Sequence, residues 1–180
     1  MRDHGGAGPR AGQAGGLLDA LRAAEAELRR SYSRMLEVVA AVTGFCTTSR
    51  LLAGVLNLPK GEAKARAEQA TVLTARRSLT GEPLPPVLPV TAAELAAGTI
   101  GPTHVRVITA VMRRLPDATH PETAAQAEQT LAQAARRFDP SALTRIGERL
   151  LAHLDPDGTA PADEPETRGS CGFAPAQTAP

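Results

Sequence analysis

Three features of the 180-residue chain predict an all-α fold. Apolar residues recur at steps of three and four along most of its length, the spacing of one helix face. Aromatic residues are confined to Tyr32, Phe45, Phe138 and Phe173. The core must then be built from leucine, valine and alanine, which suits close-packed helices better than a strand-rich sandwich. Proline, glycine and small polar residues fall where those apolar segments begin and end. The expected architecture is a multi-helix bundle with a long N-terminal helix and a helix-turn-helix-like pair. A helical domain over residues 16–157 lies between a disordered N-terminus (1–15) and a disordered, acidic, proline-rich tail (158–180). An ordered body of roughly 140 residues can bury about two-thirds of its unfolded surface, enough for a stable core.

The glycine- and alanine-rich start of the chain has no periodicity and is expected to be disordered. Leu17, Leu21, Ala24, Leu28, Met35, Val38 and Val42 then alternate steps of four and three, with only Ser31 breaking the heptad. They predict a helix over 17–42, about 26 residues and roughly 39 Å long. Two roles fit it: a coiled-coil dimer seam, or, more simply, a helix packed along its own domain. Gly44 ends it. Thr47 or Thr48 caps a short helix carrying Leu51, Leu52, Val55 and Leu56, and Asn57-Leu58-Pro59 turns the chain. The next helix is expected over 60–79, with Ala63, Ala67, Ala70 and Leu73 inward.

The segment 84–115 carries the clearest signals. Thr91 and Glu94 have capping-box spacing, Gly98 suits the left-handed residue that closes a short helix, and Gly101-Pro102 opens the following one. Val105, Ile108, Val111 (or Met112) and Leu115 form its apolar stripe, and Arg113-Arg114 complement the negative end of its dipole. After a loop at 117–120, Pro121 starts a helix to about Arg137 with Ala124, Ala127, Leu131 and Ala134 inward. Asp139-Pro140 caps and opens the last one, through Leu143, Ile146, Leu150 and Leu154.

Charge is unevenly distributed. Residues 1–153 carry 19 Lys/Arg against 14 Asp/Glu, and residues 154–180 carry one against five. The body is mildly basic, well short of a dedicated nucleic-acid face. Cys46 and Cys171 lie far apart without Cys-x-x-Cys spacing, so neither a disulfide framework nor a zinc site is signalled. His4, His104, His120 and His153 show no metal-ligand spacing, and His104 is expected to pack or cap. With no phosphate-binding loop and no nucleophile elbow, no cofactor, small-molecule substrate or enzymatic activity is expected. No signal-peptide core and no apolar run of roughly 18 residues are present, which points to a cytoplasmic protein without a membrane partner.

The two helices around Asn57-Leu58-Pro59 have helix-turn-helix proportions. If they dock on DNA, Lys60, Lys64 and Arg66 stand near the start of the second helix, although Glu62 and Glu68 share it. Arg76-Arg77, Arg113-Arg114 and Arg136-Arg137 fall at expected helix C-termini. There dipole complementation explains them, and a shared phosphate-binding face requires those ends to converge. The candidate nucleic-acid residues are accordingly Lys60, Lys64, Arg66, Arg76 and Arg77.

The order and spacing of several short motifs resemble an actinobacterial family, the 13E12-repeat or domain-of-unknown-function-222 proteins. These are Leu58-Pro59 with Glu62-Ala63, Leu84-Pro85, Leu95-Ala96-Ala97-Gly98 with Ile100 and His104, Asp139-Pro140, and Leu154-Asp155-Pro156-Asp157-Gly158. The resemblance covers about residues 17–158. It implies a helical region of the kind that commonly precedes an HNH-type endonuclease domain, and hence DNA binding or positioning of a nuclease. The chain departs from the family's pattern in two ways. It ends 22 residues after Gly158, and it has no tryptophan in the short second helix, where Arg50-Leu51-Leu52 stands. The reading is a truncated or standalone member without nuclease activity: a non-catalytic module that engages DNA. The alternatives are a protein-interaction module dimerising through the Leu17–Val42 helix, or a non-functional remnant.

Overall fold

The computed structural model describes residues 8–43, 48–78 and 80–154. Among them, seven helices and one short hairpin follow in the order α1 (Gly8–Thr43), α2 (Thr48–Val55), α3 (Lys60–Leu73), β1 (Arg76–Arg77), β2 (Pro83–Leu84), α4 (Pro89–Ala97), α5 (Pro102–Met112), α6 (Pro121–Ala135) and α7 (Pro140–Leu154). The all-α architecture is as expected. α1 packs on α3 and α4, α2 on α3, and α5 on α6 and α7, with α6 also against α4. The core joins all seven helices, and Leu36, Leu95, Ile100, Ile108, Leu131 and Leu143 are its largest fully buried side chains.

α1 begins at Gly8, ahead of the expected Leu17, and takes in part of the expected N-terminal tail. Residues 1–7, Gly44, Thr47 and the tail from Asp155 lie outside the described residues. Asn57, with φ 52°, makes the turn between α2 and α3, where the Leu58 N–H donates to the Ala53 carbonyl at 3.0 Å. The expectation that α3 runs to Leu79 is corrected. It ends at Leu73, and Thr74 leaves it with extended backbone while its hydroxyl donates to the Ala70 carbonyl at 2.7 Å. Two of its last three residues, Thr71 and Val72, are β-branched, which weakens a helix end. Arg76 and Arg77 consequently sit on β1, paired antiparallel with Leu84 and Pro83, and not at a helix C-terminus. Gly81, with φ 89°, makes the hairpin turn.

The Thr91–Glu94 capping box is also corrected. α4 starts at Pro89, and the amide in its first turn is capped from another helix: the Thr91 N–H donates to Glu128 Oε1 of α6 at 2.8 Å. Glu94 serves the other end of α4. Arg136 donates to it through both Nε (2.7 Å) and a terminal nitrogen, and the Thr99 hydroxyl donates to it as well. Other expectations hold as written. Gly98 closes α4 in the left-handed region (φ 78°). Asp139 accepts from the Ser141 and Ala142 amides at 2.8 and 3.1 Å, which holds its carboxyl below its ordinary range. His104 caps: the Gly101 N–H donates to its Nδ1 (3.4 Å), and its Nε2 lies 3.0 Å from the Phe138 carbonyl, tying α5 to the start of α7.

Two glycines set how closely the helices approach. A Cβ at Gly98 would lie 2.5 Å from the Ala26 carbonyl oxygen of α1, and one at Gly147 would lie 2.4 Å from a Val111 methyl. Gly98→Ala therefore meets both left-handed strain and a backbone clash. It should destabilise the domain by about 3 kcal/mol in urea denaturation; a loss under about 0.5 kcal/mol, the range of ordinary surface substitutions, would contradict this crossing.

The Arg136 hydrogen bonds also hold the Glu94 carboxyl below its ordinary value of 4.5. A depressed folded-state pKa means stability that is present at neutral pH and lost as pH falls through that lowered pKa. Glu94→Gln should thus be less stable than wild type at pH 7, with the gap closing as the solution is acidified below about 4.5. A pH-independent gap would show that the charge on Glu94 contributes nothing.

Candidate functional surfaces

The longest helix is only partly covered. Along α1, Tyr32, Met35, Leu36 and Val39 join the core, while Arg29 and Arg30 reach α4. N-terminal to Ala26, residues 14–25 are exposed throughout. Leu17, Leu21 and Leu28 are 72%, 66% and 65% exposed, and Leu18 is 53% exposed. At about 100° per residue, Leu17, Leu21 and Leu28 fall within about 40° of one another, on the side of the helix that carries Tyr32, Met35 and Val39. One apolar face thus runs along α1, buried at its C-terminal end and bare at its N-terminal end. The expected heptad is only partly the packing face: Met35 is half-buried, but Val38 is 65% exposed, and Leu36 and Val39 take the buried positions. Polar pairs decorate the rest of α1, among them Arg22–Asp19 at 2.8 Å and Arg30 and Arg34 with Glu27, each at 3.0 Å. Those exposed pairs contribute little to stability.

The five candidate nucleic-acid residues occupy two elements. Lys60 and Lys64 are exposed and one turn apart on α3, and Lys64 Nζ lies 3.8 Å from Glu68. Arg66 turns the other way. It pairs with Glu62, places its guanidinium 5.8 Å from the centre of the Tyr32 ring, and is only 19% exposed. Arg76 and Arg77 stand on the hairpin and donate to the Pro85 (3.4 Å) and Gly81 (3.2 Å) carbonyls. The structure brings Lys60, Lys64 and Arg66 onto one helix and places Arg76 and Arg77 apart from it. Arginines do converge at the α4 C-terminus, where Arg29 donates to the Thr99 carbonyl (3.1 Å), Arg30 to the Ala97 carbonyl (3.4 Å) and Arg136 to Glu94. Their donors are engaged by the protein itself, as dipole complementation requires.

A second feature was not legible in sequence. Between α1, α3 and α5 lies a groove of about 590 Å³, lined by Tyr32, Gly61, Glu62, Ala65, Arg66, Gln69, Pro102 and Arg106. Its floor is fixed by a relay. The Tyr32 hydroxyl donates to Gln69 Oε1 (2.8 Å), and Gln69 Nε2 donates to the Pro102 carbonyl (3.1 Å). Burial pushes the Tyr32 phenol up from its ordinary value. Arg66 spends one terminal nitrogen on Glu62 and the other on the Met35 sulfur (3.2 Å), and its buried Nε has no hydrogen-bond partner. Arg106, exposed on α5, forms no ion pair among the described residues. Gln69 is a polar residue at an inward helical position, the one sequence signal that could have marked this place.

Among the described residues, no group of three or more His, Cys, Asp or Glu could hold a metal ion, and no helix is long and apolar enough to cross a membrane. Fold and surfaces together define an all-α helical domain with a partly uncovered first helix. The chain belongs to the family described as domain of unknown function (DUF222), whose model matches residues 13–178. It is 43% identical over 107 residues to the uncharacterized protein Rv1128c of Mycobacterium tuberculosis, covering 59% of this chain and 24% of that one. It is 34% identical over 149 residues to the uncharacterized protein Mb1179c of Mycobacterium bovis, covering 79% of this chain and 33% of that one. The matched region thus spans a quarter to a third of those relatives' length. No solved structure matches this chain significantly.

Proposed function

We propose that this domain is a non-catalytic protein-interaction module, and that the N-terminal half of α1 pairs with the same helix of a second copy. The bare apolar stripe of Leu17, Leu21 and Leu28 carries this reading. Scattered surface leucines need no explanation, but several aligned on one helix face form a patch that water does not favour. A second copy offers the same stripe, and a two-fold axis makes such a stripe self-complementary. The flanking charges of α1 are of both signs, so two copies can meet without accumulating like charge.

Engagement of DNA, the reading that the family resemblance implies, draws less from this geometry. Of its five residues, Lys60 and Lys64 alone present unburied ammonium groups on one helix face, and Glu68 stands beside Lys64.

Sedimentation velocity across about 1–100 µM, the range in which micromolar self-association registers, should show a monomer–dimer equilibrium. Leu21→Glu with Leu28→Glu should abolish it, and because both side chains are exposed the double variant should match the far-UV circular dichroism and melting temperature of wild type at concentrations where wild type is monomeric. A wild-type monomer at every concentration would overturn the proposal. A dimer indifferent to both substitutions would place the interface elsewhere.

A further inference from the structure

The groove between α1, α3 and α5 has the character of a ligand site, and its side chains select charge. Its volume of about 590 Å³ lies within the range typical of small-molecule sites. Two guanidiniums reach it from different helices, Arg66 from α3 and Arg106 from α5, against the single carboxylate of Glu62. Arg66 spends only one donor on a carboxylate, that of Glu62. One of its donors faces a thioether, which accepts weakly, and Nε faces none. The floor is preorganised, because Gln69, only 4% exposed, is held from both ends by Tyr32 and Pro102. Gly61 adds no side chain on the α3 side, and a Cβ there would meet nothing within 4 Å, so the groove is open to an incoming group.

We propose that this groove binds a small organic phosphate, with the phosphate held between Arg106 and Arg66 and the organic portion lying along Gly61 and Ala65. Arginine's fork matches phosphate oxygens in paired hydrogen bonds. The site is distinct from the α1 stripe and does not depend on the pairing proposed for it.

Adenosine 5′-monophosphate is a suitable probe, since adenosine supplies the same body without the charge. In two-dimensional 15N NMR of the full chain, the monophosphate should saturably shift the Gly61 amide and the Gln69 side-chain amide, and adenosine should not. Arg106→Gln should weaken binding about tenfold. Arg106 is exposed and forms no ion pair among the described residues, so this variant should retain the wild-type melting temperature. The Leu21→Glu, Leu28→Glu variant should still bind, which separates this result from the fate of the dimer. Equal shifts with adenosine, no shift at those two groups with the monophosphate at about 10 mM, a weak-affinity ceiling, or unchanged affinity in Arg106→Gln would each overturn the proposal.

Discussion

The crossing of α1 over the end of α4 is the constraint on which the rest of the arrangement depends. Gly98 lets the chain turn left-handed at the point where the Ala26 carbonyl presses closest, and no residue with a Cβ fits there. Arg30 of the crossing helix then donates to the Ala97 carbonyl at the end of α4, and Arg29 to the Thr99 carbonyl just beyond it. Arg136 reaches the same junction through Glu94 and ties in α6, while Glu128 caps the opposite end of α4. From that fixed point Gly101 begins α5. His104 links α5 to the segment entering α7, and Gly147 brings α7 against Val111. α4, only nine residues long, is thereby held by α1 at one end and by α6 at both.

The same crossing divides α1 into two physical regimes. Beyond Ala26 toward the C-terminus, the helix buries Leu36 and Val39 and contributes Tyr32 to the relay with Gln69. Before it, the apolar face continues with no element of the described residues beneath it. A helix isolated from packing is marginal in water even over a dozen residues or more, so a bare segment with aligned leucines gains stability from whatever covers it. The chain matches a quarter to a third of the length of those relatives.

Features carried by neighbouring residues were readable in sequence. The Asp139-Pro140 cap, the Gly98 stop, the Gly101-Pro102 start and the Val105–Ile108–Val111 stripe depend on positions a few residues apart, and each took the place expected. Where structure and expectation differ, a distant group or the residues just beyond a helix decide the outcome. Thr91 and Glu94 have the spacing of a local cap, yet Glu128 and Arg136, 37 and 42 residues away, claim them. α3 ends before the expected Leu79 because the Thr71-Val72 pair and the following hairpin cut short the helical period that Ala70 and Leu73 continue. The stripe on α1 was recognised, but which half of it would be buried depends on where α3 and α4 end. The groove escaped notice because Tyr32, Arg66, Gln69 and Arg106 come from three helices and share no spacing.

A boundary lies within one continuous helix, which is supported after Ala26 and exposed before it. Amide hydrogen exchange reads that boundary directly, since protection reports local opening. In dilute solution, amides of residues 17–25 should exchange much faster than those of residues 32–40. At high concentration, protection should spread toward Leu17 while the rest of the domain stays unchanged. Uniform slow exchange along α1 in the dilute monomer would show that the N-terminal half is already covered, and would contradict the account.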